Sequence, residues 1–305
     1  MREKVYAVQR MQDYVEAHLQ APVSLDQLAS AAGYSPSHAS RVFKELVGIP
    51  PLEYLRARRL SQAALRLRDT PSRVLEVALD AIFESHEGFT RAFSKQFGIT
   101  PENYRKHTPP LPLFMPGSVR DQYLHMLKGE KTMKEKADTC TIFTQVVERP
   151  QRKLILLRGR KAADYFAYCE EVGCDVWGIL CSLKGALYEP VGMWLPEKLR
   201  RSGTSVYAQG VEMPVDYAGP IPEGMEIIDL PPCKMMVFHG QPFADEEMEQ
   251  AIGSVWNAMK NFRPESFGWQ WADDDAPRIQ MVPLPERGYI EARPVRERDE
   301  RKTTF

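Results

Sequence analysis

Read at a spacing of fifty residues, the first third of this chain repeats itself. Arg41, Phe43, Gly48, Ile49, Pro51 and Tyr54 return as Arg91, Phe93, Gly98, Ile99, Pro101 and Tyr104. Upstream the spacing is forty-nine, which sets Leu28-Ala29 on Val77-Ala78 and Tyr34 on Phe83. The second copy therefore holds one extra residue between its halves. A module encoded twice must close two similar small cores, and a short helix, a turn and a longer helix fit each copy.

The local signals agree. Leu25, Leu28, Ala29 and Ala32 follow the three-and-four spacing of one helical face, with Ser24 placed as N-cap and Gly33 as the stop. Pro36 stands at a first helical position, and Val42, Phe43 and Leu46 form the buried face of a helix that Gly48 ends. Val74, Val77, Ala78, Phe89, Phe93 and Phe97 do the same in the second copy. Each copy reads as helix-turn-helix. A plain helical bundle has the same periodicity, and residue identities are what separate the two.

Those identities resemble the AraC/XylS family of transcription regulators over residues 4–107. The resemblance is most specific in Phe83-Glu-Ser-His-Glu-Gly-Phe-Thr-Arg-Ala-Phe93 and Phe97-Gly-Ile-Thr-Pro101. It implies an all-α domain with two helix-turn-helix modules joined by a long helix, double-stranded DNA as partner, and RNA polymerase as a further candidate. The side chains outside the apolar faces of the two second helices are Ser37, Ser40 and Arg41, then His86, Glu87, Thr90 and Arg91. The resemblance puts base or phosphate contacts there, and the chemistry permits it, since Arg suits guanine and Ser or Thr is adaptable. An intradomain salt bridge is the competing role for either arginine. One departure concerns Ile82, which occupies a turn position where the family has Gly. Either the turn is rebuilt or a β-branched residue is held at positive φ.

Val5, Val8, Met11, Val15 and Leu19 predict a first amphipathic helix over the first module. Leu52, Leu55, Leu60, Ala64 and Leu67 predict a connector over about residues 51–68, with Arg56, Arg58, Arg59 and Arg66 on its other face as solvated charges or phosphate contacts. Its roughly 27 Å is of the order of the ~34 Å between successive major-groove faces. Residues 35–68 hold seven Lys or Arg against two Asp or Glu, while the whole chain has net charge −1. Phosphate contact is therefore expected of one region only.

Proline density from residue 108 disfavours helix and predicts a semi-rigid linker over 108–138. Its part 122–136 reads as polar and exposed, apart from Tyr123, Leu124 and Leu127. The period then changes: strands at 141–147 and 153–157, a helical repeat over 164–183, strands at 205–212, 225–230 and 234–240, a helix at 245–262, and closing strands at 278–282 and 288–295. This pattern predicts a duplicated α+β unit around a shared sheet.

Residues 139–296 resemble the GyrI-like (gyrase-inhibitory-protein-like) small-molecule-binding domain, and 297–305 form a charged tail. The resemblance rests on element order, on Tyr289-Ile-Glu-Ala-Arg-Pro-Val295 as closing strand, and on Gly210-Val-Glu-Met-Pro214 in mid-domain. It implies an effector-binding domain whose cleft, between its two halves, takes aromatic or lipophilic, often cationic, small molecules. Trp177, Trp194, Tyr207, Trp269, Trp271 and Tyr289 supply aromatic surface, and Glu212 and Glu291 supply charge. That set favours a cation. Core packing is the plainer role for each aromatic alone, as the solvent face of its strand is for each acid.

No apolar run reaches the ~18 residues of a membrane span and no signal core opens the chain, so a cytoplasmic protein without membrane contact is expected. Five cysteines without a Cys-x-x-Cys pair or zinc-type spacing predict reduced thiols and no metal or other cofactor. Some stand-alone relatives of the GyrI-like domain are hydrolases with an acid in the pocket, but Ala276-Pro277-Arg278 stands where that acid is expected. No nucleophile elbow, His-Glu-x-x-His or phosphate loop occurs either, so a sensor and not an enzyme is expected. A gyrase-inhibitor-like protein-binding module is the third class.

Overall fold

The computed structural model describes residues 1–115, 117, 119, 140–173, 175–244 and 247–298. The chain divides into two compact units, Met1–Lys134 with Trp177–Lys184, and Glu135–Val176 with Gly185–Phe305. No described helix is long and apolar enough to cross a membrane.

The first unit is helical: α1 Arg2–Ala17, α2 Leu25–Ala32, α3 Pro36–Val47, α4 Pro51–Asp69, α5 Val74–Asp80, α6 His86–Phe97 and α7 Pro101–His107. Ser24 caps α2 in a reciprocal box with Gln27, and Pro36 opens α3. Gly33, Gly48 and Gly98 end α2, α3 and α6 in the left-handed conformation. The connector α4 belongs to both cores. Its Tyr54 and Leu55 pack with Val8, Met11, Leu28 and Phe43, while Leu60, Ala64 and Leu67 pack with Val77, Phe89, Phe93 and Tyr104. Both modules are thereby fixed to one rod of 19 residues.

Two of the four connector arginines depart from expectation. Arg58 is 7% exposed; its Nε and Nη2 fork Glu16 at 2.6 and 2.7 Å, and its Nη1 donates to the Phe114 carbonyl at 2.8 Å. Arg59 donates to the carbonyls of Leu19 and Ala21, whereas Arg66 stays at the surface as expected, paired with an exposed Asp80. Carbonyls and carboxylates from neighbouring segments converge on this helical face, so the Arg58 and Arg59 guanidinium groups serve as internal struts. Arg56 remains exposed.

Ile82 keeps the turn. Its φ is 58°, against 72° for Gly33. The Ile82 N–H donates to Leu79 O at 2.9 Å and the Phe83 N–H to Ala78 O at 3.0 Å, matching Gly33 to Ser30 and Tyr34 to Ala29 in the first copy. The extra residue of the second copy is thus accommodated after the turn, at Glu84, between Phe83 and the N-cap Ser85. With Ile82 37% exposed, the alternative in which a rebuilt turn sends it into the core is excluded. Ile82→Gly is expected to raise stability by about 1 kcal/mol in a urea melt, the relief of left-handed strain exceeding the added chain entropy of glycine.

The proline-rich stretch is packed at its start. Leu111 and Leu113 are buried in the second module's core. The Leu111 N–H donates to Ser182 Oγ at 2.9 Å, and Arg68 Nη1 donates to Cys181 O at 2.6 Å and Leu183 O at 3.2 Å. Gly178 lies so close that a Cβ there would stand 2.0 Å from the Leu113 carbonyl oxygen. The 122–136 stretch with Tyr123, Leu124 and Leu127 lies outside the described residues, as does the tail beyond Arg298.

The expected helix over 164–183 is two helices, α8 Tyr165–Val172 and α9 Asp175–Ser182, because α8 ends at Gly173 with φ 95°. From Trp177 onward α9 belongs to the helical unit.

The second unit is a sheet of β1 Ile142–Arg149, β2 Arg152–Arg158, β3 Val191–Trp194, β4 Tyr207–Met213, β5 Glu226–Leu230, β6 Cys233–Gly240, β7 Trp269–Trp271, β8 Arg278–Gln280 and β9 Ile290–Glu297, with α10 Met248–Asn261. Strands β3 and β7, four and three residues long, were not expected from periodicity. The order is β1-β6-β9-β8-β3-β4-β2-β5, with β7 on β9. Taking β1, β2, β3 and β4 in chain order onto β5, β6, β8 and β9 carries the sheet order onto itself read from the other edge, a two-fold relation of strand order centred between β8 and β3.

One sheet face carries Leu154, Leu156, Met193, Ala208, Ile279 and Ala292 as a core. On the other, α10 places Val255 and Met259 on Met236 and Phe238, and α8 places Tyr168 on Tyr207.

Candidate functional sites

On α3, Ser37 and Arg41 are exposed and Ser40 half-buried; on α6, His86, Glu87 and Arg91 are exposed and Thr90 half-buried. The helices present these side chains because Ala39, Val42 and Phe43, like Phe89 and Phe93, take the opposite faces into the cores. Arg41 Nη2 lies 3.4 Å from His38 Nδ1, and neither Arg41 nor Arg91 has a carboxylate partner among the described residues. Thr90 differs from its neighbours, since its hydroxyl oxygen is buried without a hydrogen-bond partner among the described residues. The sequence reading omitted Lys44 and Lys95, both exposed. Their signal was spacing: Ser37, Arg41 and Lys44, like Glu87, Arg91 and Lys95, recur on one helical face. Each recognition helix thus shows two cations along one line, a surface suited to phosphate and base edges.

In the sheet unit, the eight proposed ligand residues separate. Pairing of Trp194 with Tyr207 and with Arg278, and of Gln280 with Glu291, puts Trp194, Tyr207, Arg278, Gln280 and Glu291 on the face that bears α8 and α10. Trp194 and Tyr207 meet edge to face at 5.4 Å. Gly192 makes room for this, since a Cβ there would stand 2.1 Å from the Tyr207 hydroxyl, which accepts from Gln280 Nε2 at 2.9 Å. Glu291 is fully buried. Its Oε1 takes the Arg278 guanidinium and its Oε2 accepts from the Tyr289 hydroxyl at 3.0 Å, which itself accepts from Trp256 Nε1 at 3.4 Å. Arg278 stacks over Trp194 at 4.6 Å.

Burial pushes the Glu291 carboxyl above the ordinary carboxylate range, with Arg278 pulling against it. Burial likewise raises the Tyr207 and Tyr289 hydroxyls, so both stay protonated donors. Trp256, half-exposed on α10, and Gln280 were missed from the sequence, because only the register brings them to this cluster.

The other four residues lie elsewhere. Glu212 pairs in register with Leu154 and so points to the opposite face, where Arg149 and Arg152 hold it at 3.0 and 2.7 Å. The two acids cannot line one cleft, nor is either on a solvent face. Trp269 and Trp271 pack in the α10 core, Trp271 pairing with Val295, about 13 Å along β9 from Glu291. Lys234 and Arg293 cover their rings at 5.2 and 4.1 Å. Trp177 is on the α9 segment of the helical unit. Among the described residues, no group of three or more His, Cys, Asp or Glu could hold a metal ion.

The family description "Helix-turn-helix domain" matches residues 28–107. The chain is 48% identical over 93 residues to the Right origin-binding protein of Escherichia coli, covering 30% of this chain and 32% of that protein. It thus spans about a third of that relative's length. The Transposon Tn10 TetD protein of Escherichia coli is 40% identical over 94 residues, 31% of this chain and 68% of that protein. The HTH-type transcriptional activator AarP of Providencia stuartii is 39% identical over 92 residues, 30% of this chain and again 68% of that protein. Among solved structures, a Chromobacterium violaceum transcriptional regulator with an AraC-type DNA-binding domain is 27% identical with a TM-score of 0.32, covering 36% of this chain and 95% of that one. With TetD and AarP each matched over 68% of their own length at 40% and 39% identity, the chain belongs to the AraC family of helix-turn-helix transcriptional regulators.

Proposed function

We propose that this protein is a one-component transcription regulator in which residues 1–107 of the helical unit bind duplex DNA through α3 and α6, and residues 139–296, apart from the Trp177–Lys184 segment, bind an aromatic or lipophilic small molecule. The observation that carries the first part is the equivalence of Arg41 and Arg91, both exposed and without a carboxylate partner among the described residues, on helices fixed to one rod. RNA polymerase is the further partner such a regulator would engage. The GyrI-like reading of the sheet unit is supported by the two-fold strand order and by the aromatic cluster around Glu291. An effector would act by binding two conformational states unequally when those states differ in DNA affinity. Hydrolysis is the weaker reading, since both oxygens of Glu291 are engaged and neither is free to serve as a base.

Arg91→Ala is expected to weaken binding to a fragment selected from a random DNA pool by about 1 to 3 kcal/mol while shifting stability by less than about 0.5 kcal/mol. Fluorescence anisotropy and a urea melt on the same sample read both. Unchanged affinity in both Arg41→Ala and Arg91→Ala would refute the assignment, and parallel losses of affinity and stability would mark the arginine as structural.

A further inference from the structure

An acid among aromatic rings, read from sequence alone, calls for a cationic ligand. The structure reverses the sign of the charge that a ligand meets. Glu291 has no exposure at all, and its two oxygens are committed to Arg278 and Tyr289. Arg278, on the neighbouring strand, lies over it with a side chain 34% exposed. The guanidinium uses Nε and Nη2 on Glu291 and stacks on Trp194, and its Nη1 has no acceptor among the described residues.

The chain's own arginine therefore occupies the position that a ligand cation would take, neutralising the acid and facing outward with unused N–H donors. An incoming cation must first break a buried, hydrogen-bonded ion pair, which is strongly unfavourable. An incoming carboxylate or sulfonate meets a guanidinium held in place from behind, and gains a charge-assisted hydrogen bond without rearrangement.

We infer that this site selects aromatic anions, the carboxylate or sulfonate docking on the outer edge of Arg278 and the ring on Trp194. This rests on the reading of the sheet unit as effector-binding, and it specifies the ligand class of that unit. Gln280, beside Arg278 and already holding the Tyr207 hydroxyl, keeps that aromatic wall in position.

The test is calorimetric titration of the full chain at pH 7 with three matched probes: 2-naphthoate, 2-naphthamide and 2-naphthylmethylammonium. The wild type is expected to bind naphthoate at least about tenfold more tightly than the ammonium compound. In Arg278→Gln, where Glu291 loses its partner, the order should reverse, and in Arg278→Lys the preference for naphthoate should persist in weakened form. Ammonium binding equal to or tighter than naphthoate in the wild type overturns the inference while leaving a sensor intact. So does an Arg278→Gln protein, folded by circular dichroism, that retains the wild-type order. Should that variant not fold, the wild-type order alone decides. Binding of none of the three to wild type or variant sinks the effector reading together with this one.

Discussion

Glu16→Ala will lower the unfolding free energy of the helical unit by about 3 to 5 kcal/mol, the range for stranding one member of a buried ion pair. The two partners are unequally placed. The Arg58 side chain is 8% exposed and that of Glu16 41%. Removing the acid leaves a buried guanidinium whose remaining hydrogen-bond partners among the described residues are the Phe114 carbonyl and the Met115 sulfur, whereas removing the arginine leaves an acid that water can reach. Burial opposes the charge on Arg58, and the hydrogen bonds and charge of Glu16 outweigh it, so its pKa is raised. Arg58→Met should therefore cost clearly less than Glu16→Ala, because it keeps the packed stem and strands nothing in the core. Urea melts of the two variants check the ranking, and equal losses would show that the pair acts through packing alone.

Phe93→Ala will cost about 3 to 5 kcal/mol and remove DNA binding by the second module at temperatures where the wild type binds. Its ring is fully buried and touches Phe89, Phe97 and Tyr104 at centroid distances of 5.6, 4.7 and 5.8 Å. The ring comes from the face of α6 opposite Arg91, so the cavity would loosen the helix that presents this proposed DNA contact. A thermal melt and anisotropy on one DNA fragment measure both effects; a variant that binds with wild-type affinity while destabilised would separate reading from core support.

The helical unit was legible because its signals are local. Ser24, Gly33, Pro36 and Gly48 each act within one turn of their own position, and the repeat supplied a second reading of each. Ile82 was located by the same alignment. Its outcome depended on where the extra residue went, and only the backbone at Glu84 shows that. Arg58 and Arg59 were misjudged since helical phase says which way Arg58 points but not that Glu16 and Phe114 wait there.

In the sheet unit the obstacle was register. Glu212 and Glu291 differ in face because Glu212 pairs with Leu154 and Glu291 with Gln280, and a slip of one residue would have exchanged either. Trp194 and Tyr207 meet because of Gly192, whose missing side chain leaves room for a hydroxyl from the next strand, and no periodicity marks that glycine. Trp177 was grouped with Trp194 and Tyr207 as an aromatic of the same region, but from Trp177 the chain belongs to the helical unit.

The inclusion of Trp177–Lys184 in the helical unit has a consequence for timing. On the ribosome, residues 1–113 emerge with the Leu111 N–H and Arg68 Nη1 still to find acceptors that Ser182, Cys181 and Leu183 will bring. At ~5 to 20 residues per second, their delivery trails residue 107 by roughly 4 to 15 seconds. By then β1 and β2 have already been synthesised, and they wait for β4, β5 and β6 to pair with them. The two units are therefore completed as overlapping events, and a chain released early, between residues 119 and 177, carries a helical unit that lacks its final piece.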